Sequence, residues 1–374
     1  MTMEDLYVPA SYRADVVGSL LRPESLRRAR ADFADGSITR DELAAAEDNA
    51  VRQVIDLQRA CGLPVVTDGE LRRDIYTAPL IAGAEGLENV QGRYRTWHDA
   101  QGNEQRLRQP FVVAGKLKVR ESVAISEYQF SRTATGLPVK VTVPSPLALV
   151  SFWDASLSAS AYPHPFDLFA DCAEILKEVV SELIGMGCGY IQFDAPELTT
   201  VVDPGGRHRL SDIGVSETEF LSMGCDLLNE IAAVRGQDVH FAIHLCRGNN
   251  KGRWLRSGGY ERMISTLYER TGNISTFLLE FDDERSGGFE VLQGAPPDKV
   301  LVLGLVSTKT GRLESQEDIA SRVEEAAKHA PLGQLALSTQ CGFSPTAAGA
   351  VMDESEQWRK LTLVADVAAG IWKN

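Results

Sequence analysis

Val239-His240-Phe241-Ala242-Ile243-His244-Leu245-Cys246 is an apolar, β-rich run that ends on an imidazole and a thiol. It predicts a short buried strand whose last residues, His244 and Cys246, lie two apart and so face the same way where the strand meets solvent. Arg247-Gly248-Asn249 then breaks the run. Imidazole and thiolate together suit zinc. Taken alone, His-x-Cys reads more simply as a buried cysteine beside a hydrogen-bonded histidine. The rest of the chain has to decide between the two.

Working outward, seven further runs share this plan: Asp15–Leu20, Val65–Thr67, Val139–Val143, Tyr190–Asp194, Thr276–Glu280, Val300–Leu305 and Leu335–Ser338. Helical sequence separates them. Pro23-Glu24 opens one helix, to about Ala34, and Thr39 caps a longer one, with Leu43, Ala46, Ala50, Val54 and Leu57 at helical spacing before Gly62-Leu63-Pro64 closes it. Further helices are expected over about 167–186, from the capping box Ser216/Glu219 towards Val234, over 260–270 and 319–329, and from Glu354 onward. Between about 83 and 136, Gly92–Trp97 and Phe111–Gly115 look extended and hairpin-like, an insertion after the second strand-helix unit. Eight strands alternating with helices predict an α/β fold, a (β/α)8 TIM barrel, as one catalytic domain over 1–374. An open doubly wound sheet would carry a glycine-rich phosphate turn after its first strand, and Val17-Gly18-Ser19-Leu20-Leu21-Arg22 is not one.

The 374 residues carry a formal charge of -14, which argues against partners such as nucleic acid or an anionic membrane, because both need basic patches. Six cysteines, at 61, 172, 188, 225, 246 and 341, lack the density of a disulfide scaffold, so a reduced, cytoplasmic compartment is expected. Met1-Thr2-Met3-Glu4-Asp5-Leu6 has no basic region leading into an apolar run, and neither targeting nor anchoring is expected. The same reading allows a homo-oligomer.

In such a barrel the carboxyl ends of the strands form one rim. Those ends carry Ser19, Glu70, Pro144, Asp194, His244, Cys246, Glu280, Ser307 and Lys309, with Cys341 just beyond the eighth strand. His244, Cys246, Glu280 and Cys341 are the expected metal ligands, since thiolates with imidazole favour zinc and dispersal over three strands suits a catalytic site. The plainer alternative for Glu280 is a salt bridge to Arg285 or a neighbouring lysine, and for Cys341 a small buried side chain. In the basic loop Arg247–Arg256, Arg247 is expected to neutralise an anionic part of a substrate or donor, with Trp254 free to stack.

With these residues in view, the chain resembles the catalytic barrel of cobalamin-independent methionine synthase. Val17-Gly18-Ser19, Asp68-Gly69-Glu70, Ile191-Gln192-Phe193-Asp194 and His244-Leu245-Cys246-Arg247-Gly248-Asn249 look like blocks of that family. Glu280-Phe281-Asp282-Asp283-Glu284-Arg285-Ser286-Gly287 and Gln340-Cys341-Gly342-Phe343 look like its short single-barrel members. The resemblance implies a zinc-dependent methyltransferase that moves a methyl group to homocysteine, with Asp194 and Glu70 on the amino group of that substrate and Ser19 near its carboxylate.

Three departures stand out: there is no room for the second barrel of the full-length enzyme, Lys309 stands at or near the place of the family's proton-donating histidine, and Asp-Glu-Pro reads Asp194-Ala195-Pro196-Glu197. Lys309 and Asp194 are therefore the expected catalytic groups, although Lys309 could equally salt-bridge a rim carboxylate. The donor could be a methylfolate, a methylated corrinoid, another methylated metabolite or an epoxide. Two other functions stay open. One is the zinc-thiolate opening of an epoxide, as in epoxyalkane:coenzyme M transferase, with a coenzyme M-like thiol as acceptor. The other is a zinc-stabilised barrel that binds without chemistry.

Overall fold

A computed structural model describes residues 12–234, 239–347 and 349–372. Its centre is a curled parallel sheet of seven strands: β1 (Ala14–Asp15), then, later in the chain, β6 (Lys140–Pro144), β7 (Tyr190–Asp194), β8 (His240–Leu245), β9 (Thr276–Glu280), β10 (Val300–Val306) and β11 (Leu335–Thr339). The spatial order is β1-β11-β10-β9-β8-β7-β6, so from β6 to β11 consecutive strands are neighbours in space, and β1 pairs with the last of them. Parallel pairing needs a crossover at every step, and the helices supply it.

The gap between β1 and β6 is occupied by Val65–Gly69. Val66 makes one parallel bridge to Val139, while Leu20 N donates to Gly69 O at 2.9 Å and Thr67 Oγ1 to Gly18 O at 2.7 Å. The architecture is α/β with a curled sheet, consistent with a TIM-like barrel. The expected first strand is shorter than its sequence pattern, because residues after Asp15 leave the ladder towards the rim. Likewise Val65–Thr67 amounts to a single bridge.

The helices follow their caps. Helix Arg40–Ala60 begins in the capping box of Thr39 and Glu42 and buries Leu43, Val51 and Val54. Helix Glu217–Ala232 begins in the box of Ser216 and Glu219. Each such cap stabilises its helix by about 1 kcal/mol. The expected helix over 260–270 is trimmed at its start, to Ile264–Arg270.

Apolar residues on the outer sheet face and the helices form the main core. A second layer inside the curl contains Val17, Val65, Tyr190, Ala242, Leu278, Val302 and Ala336. Residues at alternate strand positions thus fill the interior, leaving no pore.

Residues 85–118 form two antiparallel pairs, β2 (Glu85–Asn89) with β5 (Phe111–Lys118) and β3 (Tyr94–His98) with β4 (Glu104–Arg108). Helix Val123–Ala134, which the sequence reading placed inside the same interruption, packs instead on helices Arg40–Ala60 and Pro165–Gly185 and on β6. The β3–β4 hairpin returns to the rim, where His98 and Trp254 exchange backbone hydrogen bonds of 2.9 Å in each direction. Among the described residues no helix is long and apolar enough to cross a membrane. The expectation about Met1–Leu6 lies outside the described residues.

Candidate functional site

The strand ends converge on one cavity of about 530 Å³. Ser19, Glu70, Asp194, His244, Cys246 and Cys341 all line it, although they come from well-separated parts of the chain. β8 delivers His244 and Cys246, and the turn after β11 delivers Cys341. Their donor atoms lie within 4.8 Å of one another, and the residues are 3%, 4% and 5% exposed respectively. Cys341 Sγ donates to Cys246 Sγ across 3.7 Å. That shared proton, reinforced by the neighbouring imidazole, holds the Cys246 thiol well below its ordinary range despite burial, and raises Cys341 well above it.

Neither ring nitrogen of His244 has a geometrically sound hydrogen-bond partner. A buried histidine with both nitrogens orphaned costs free energy unless something else binds it. Two sulfurs and an imidazole fit zinc as donor types, and the orphaned ring gives the fit a structural reason.

Glu280 stands apart from this trio. Oε1 accepts from Arg285 Nη2 at 2.6 Å and Lys309 Nζ at 2.9 Å, and Oε2 accepts from Arg247 N at 2.7 Å. Burial opposes its charge, but Lys309, Arg285 and Arg247 overcome that and hold the carboxyl at about 2. The salt bridge anticipated as the plainer alternative for Glu280 is present.

Lys309 also departs from its expected role as a proton donor. Its Nζ bonds Glu280, Asp282 and Asp283 at 2.8 to 3.0 Å. Burial would lower this ammonium, yet the carboxylates outweigh it and raise the group above its usual range, which is the wrong direction for giving up a proton at neutral pH. Lys309 is not among the cavity-lining residues.

One part of the cavity is acidic, with Glu70 and Asp194 in its lining. Asp194 Oδ1 accepts from Gln192 Nε2 at 2.8 Å; burial and then Glu70 push its carboxyl up to about 7. Glu70 Oε1 accepts from Thr142 Oγ1 at 2.9 Å, whereas its buried Oε2 has no partner. Glycine sets both approaches here. A Cβ on Gly18 would sit 2.8 Å from Glu70 Oε1, and one on Gly342 would sit 2.1 Å from Ser19 Oγ.

Arg247 and Trp254 are placed elsewhere than expected. Arg247 is fully buried, stacks 3.9 Å over the Tyr260 ring, and donates to Gly258 O and Ser286 O. It braces the loop and does not line the cavity. Trp254 stacks under Arg285 at 4.4 Å. Basic and aromatic groups that do line the cavity include Arg256, from the same loop, and Arg95, Trp97, Arg108 and Phe111 from the hairpins. Sequence reasoning found the hairpin and the basic loop, but not which of their residues would point inward. Glu197, the acid displaced by two positions in Asp194-Ala195-Pro196-Glu197, still lines the cavity and accepts from Tyr76 and Ser145 hydroxyls at 2.5 and 3.0 Å.

Residues 13–368 match the family model described as cobalamin-independent synthase, catalytic domain. The Bacillus subtilis protein YxjH is 33% identical over 97% of this chain and 96% of its own. A methionine synthase of Saccharolobus solfataricus is 25% identical over 88% of this chain and 87% of its own. Among solved structures, a Listeria monocytogenes chain provisionally assigned as a vitamin-B12 independent methionine synthase aligns with a TM-score of 0.71 at 27% identity, covering 97% of this chain and 98% of that one.

Proposed function

The chain belongs to the cobalamin-independent synthase catalytic-domain family, and from that membership we propose that it is a zinc-dependent methyltransferase transferring a methyl group to the sulfur of homocysteine. The observation that carries the reading is the orphaned His244 ring beside the Cys246–Cys341 pair, in a cavity that also holds Glu70 and Asp194. His244, Cys246 and Cys341 would hold the metal, with Glu280 as candidate fourth ligand. When bound, zinc would act as a Lewis acid that favours the deprotonated form of a substrate thiol at neutral pH.

The chain's own residues then position the acceptor. Glu70 Oε2, buried and without a hydrogen-bond partner, and Asp194, whose carboxyl burial and Glu70 push up, form a site that an ammonium group would complete. Ser19, held close by Gly342, offers a hydroxyl to the carboxylate. Trp97, Phe111 and Phe152 wall the cavity and exclude water from the sulfur. The methyl group leaves its donor as that bond's electron pair departs with the leaving group, and the acceptor sulfur supplies the pair for the new bond. Asp194, poised near neutrality, is the candidate proton-handling residue in place of Lys309. The barrel is read as closed, with Val65–Gly69 as its second strand; residues 85–122 are then an insertion in a single catalytic domain.

The test is calorimetric titration of zinc-loaded protein with L-homocysteine in buffers of different ionisation enthalpy. Saturable binding with release of about one proton, lost in Cys341→Ser, is the expected result. Binding of coenzyme M in place of homocysteine would move the protein to the epoxide-opening branch. Unchanged zinc coordination with either thiol would leave a binding barrel.

A further inference from the structure

Three cations line the cavity without a carboxylate ion pair, Arg95, Arg108 and Arg256, and Arg108 is committed to Asn89 Oδ1 and Val90 O. Arg95 on β3 lines the cavity, and among the described residues its guanidinium has neither hydrogen bond nor ion pair. Arg256, only 4% exposed, commits Nε to Thr200 Oγ1 at 3.1 Å, and no carboxylate lies within ion-pairing distance. The two guanidiniums repel each other: burial first, and then Arg256, lower Arg95 to about 10. Arg209 adds further positive charge behind them.

Glu197, the carboxylate that acts on Arg95, is already capped by the Tyr76 and Ser145 hydroxyls. Burial, and then Glu197, raise the Tyr76 phenol well above its ordinary range, so it stays protonated and keeps donating. In a chain of net charge -14, a pair of like cations, Arg256 buried and Arg95 half-buried, facing one cavity is an expensive arrangement that an anion would relieve.

We propose that Arg95 and Arg256 form an anion subsite that binds a carboxylate or phosphate of the alkyl donor. The assignment to the donor rests on the function proposed above, in which Glu70, Asp194 and Ser19 already engage both ends of the amino-acid acceptor. The subsite spans two banks of the rim, because Arg95 belongs to the hairpin and Arg256 to the loop after β8, and the His98–Trp254 bridge fixes one against the other. Trp97 and Leu107 of the hairpin supply an apolar surface beside it. The donor is thus an anion with an apolar body.

Succinate and inorganic phosphate serve as probes, titrated calorimetrically into zinc-loaded wild type, Arg95→Gln and Arg256→Gln at constant ionic strength, with L-homocysteine titrated in parallel. Saturable binding of at least one probe, weakened about tenfold or more in each variant while homocysteine affinity holds, is the expected result. Because Arg256 is buried, its variant could fold poorly; Arg95→Gln, on the half-buried hairpin, decides alone in that case. Absence of saturable probe binding, or equal binding by wild type and Arg95→Gln, overturns the subsite. If Arg95→Gln weakens homocysteine as much as the probe, the pair serves the acceptor and the donor assignment fails. If homocysteine does not bind wild type at all, the methyltransferase reading fails and takes the donor assignment with it, while the probe titrations separately report whether an anion site exists.

Discussion

Cys246 and Cys341 place their sulfurs 3.7 Å apart although 95 residues separate them in the chain. Cysteines so buried and so close, beside an imidazole whose ring nitrogens have no well-formed hydrogen bond, have the donor types of the zinc site proposed above. Zinc content measured by atomic emission is expected to fall from about one per chain to well under half that in Cys246→Ser or Cys341→Ser. A full complement of metal in both variants would remove the thiols from the ligand set.

Gly18 lets the Glu70 carboxylate stand where a methyl group would meet it at 2.8 Å. Gly18→Ala therefore displaces an acid without touching the metal ligands. Homocysteine affinity should drop about tenfold or more, roughly 1.4 kcal/mol, with zinc content unchanged. Unaltered affinity would show that Glu70 does not hold the amino group.

Lys309 neutralises three carboxylates at once. Lys309→Gln strands Asp282 and leaves Glu280 and Asp283 to Arg285 alone, and a loss on the order of 3 kcal/mol is expected in urea unfolding, whereas Lys309→Arg retains most of the stability. A proton-donating lysine behaves differently: both variants would then remove the same limb of the pH–rate profile and leave unfolding nearly unchanged.

His240 sits at the other end of β8 from Cys246, with Nε2 2.6 Å from Thr276 Oγ1. Burial lowers it from 6.5 to about 4, with Asp15 opposing and Lys140 assisting. The unfolded chain therefore binds the proton first as pH falls. The neutral ring's contribution is complete above pH 6.5 and is lost progressively as pH falls towards 4, on the order of 3 kcal/mol. His240→Gln should flatten that part of the stability profile, read as the urea midpoint at a series of pH values. Parallel profiles would acquit the residue.

Much of this molecule is legible from strand patterning. Apolar runs ending in chemistry-bearing residues bring Ser19, Glu70, Asp194, His244 and Cys246 to one cavity; for Asp194 and His244 a parallel strand fixes direction and face, while Ser19 and Glu70 lie in the turns beyond. The loops resist the same logic. Within Arg247–Arg256 four basic residues share one composition, yet Arg247 turns inward onto Tyr260 while Arg256 faces the cavity. Nothing periodic distinguishes them; the choice follows from which backbone carbonyls happen to be free nearby, here those of Gly258 and Ser286. For the same reason the partners of Glu280 and Lys309 emerge only once Asp282, Asp283 and Arg285 are placed in space.

Beneath the cavity, Lys140 Nζ donates to Asp15 Oδ1 at 2.8 Å and to Gln192 Oε1 at 2.8 Å, and Gln192 passes the chain on to Asp194. Asp15 and Lys140 belong to β1 and β6, the two ends of the strand order, so their contact records the completed curl and not any one step towards it. Such a contact is costly in loop closure and belongs to the late part of the folding route. Its loss should speed unfolding far more than it slows folding, making this ion pair a determinant of how long the molecule persists once folded.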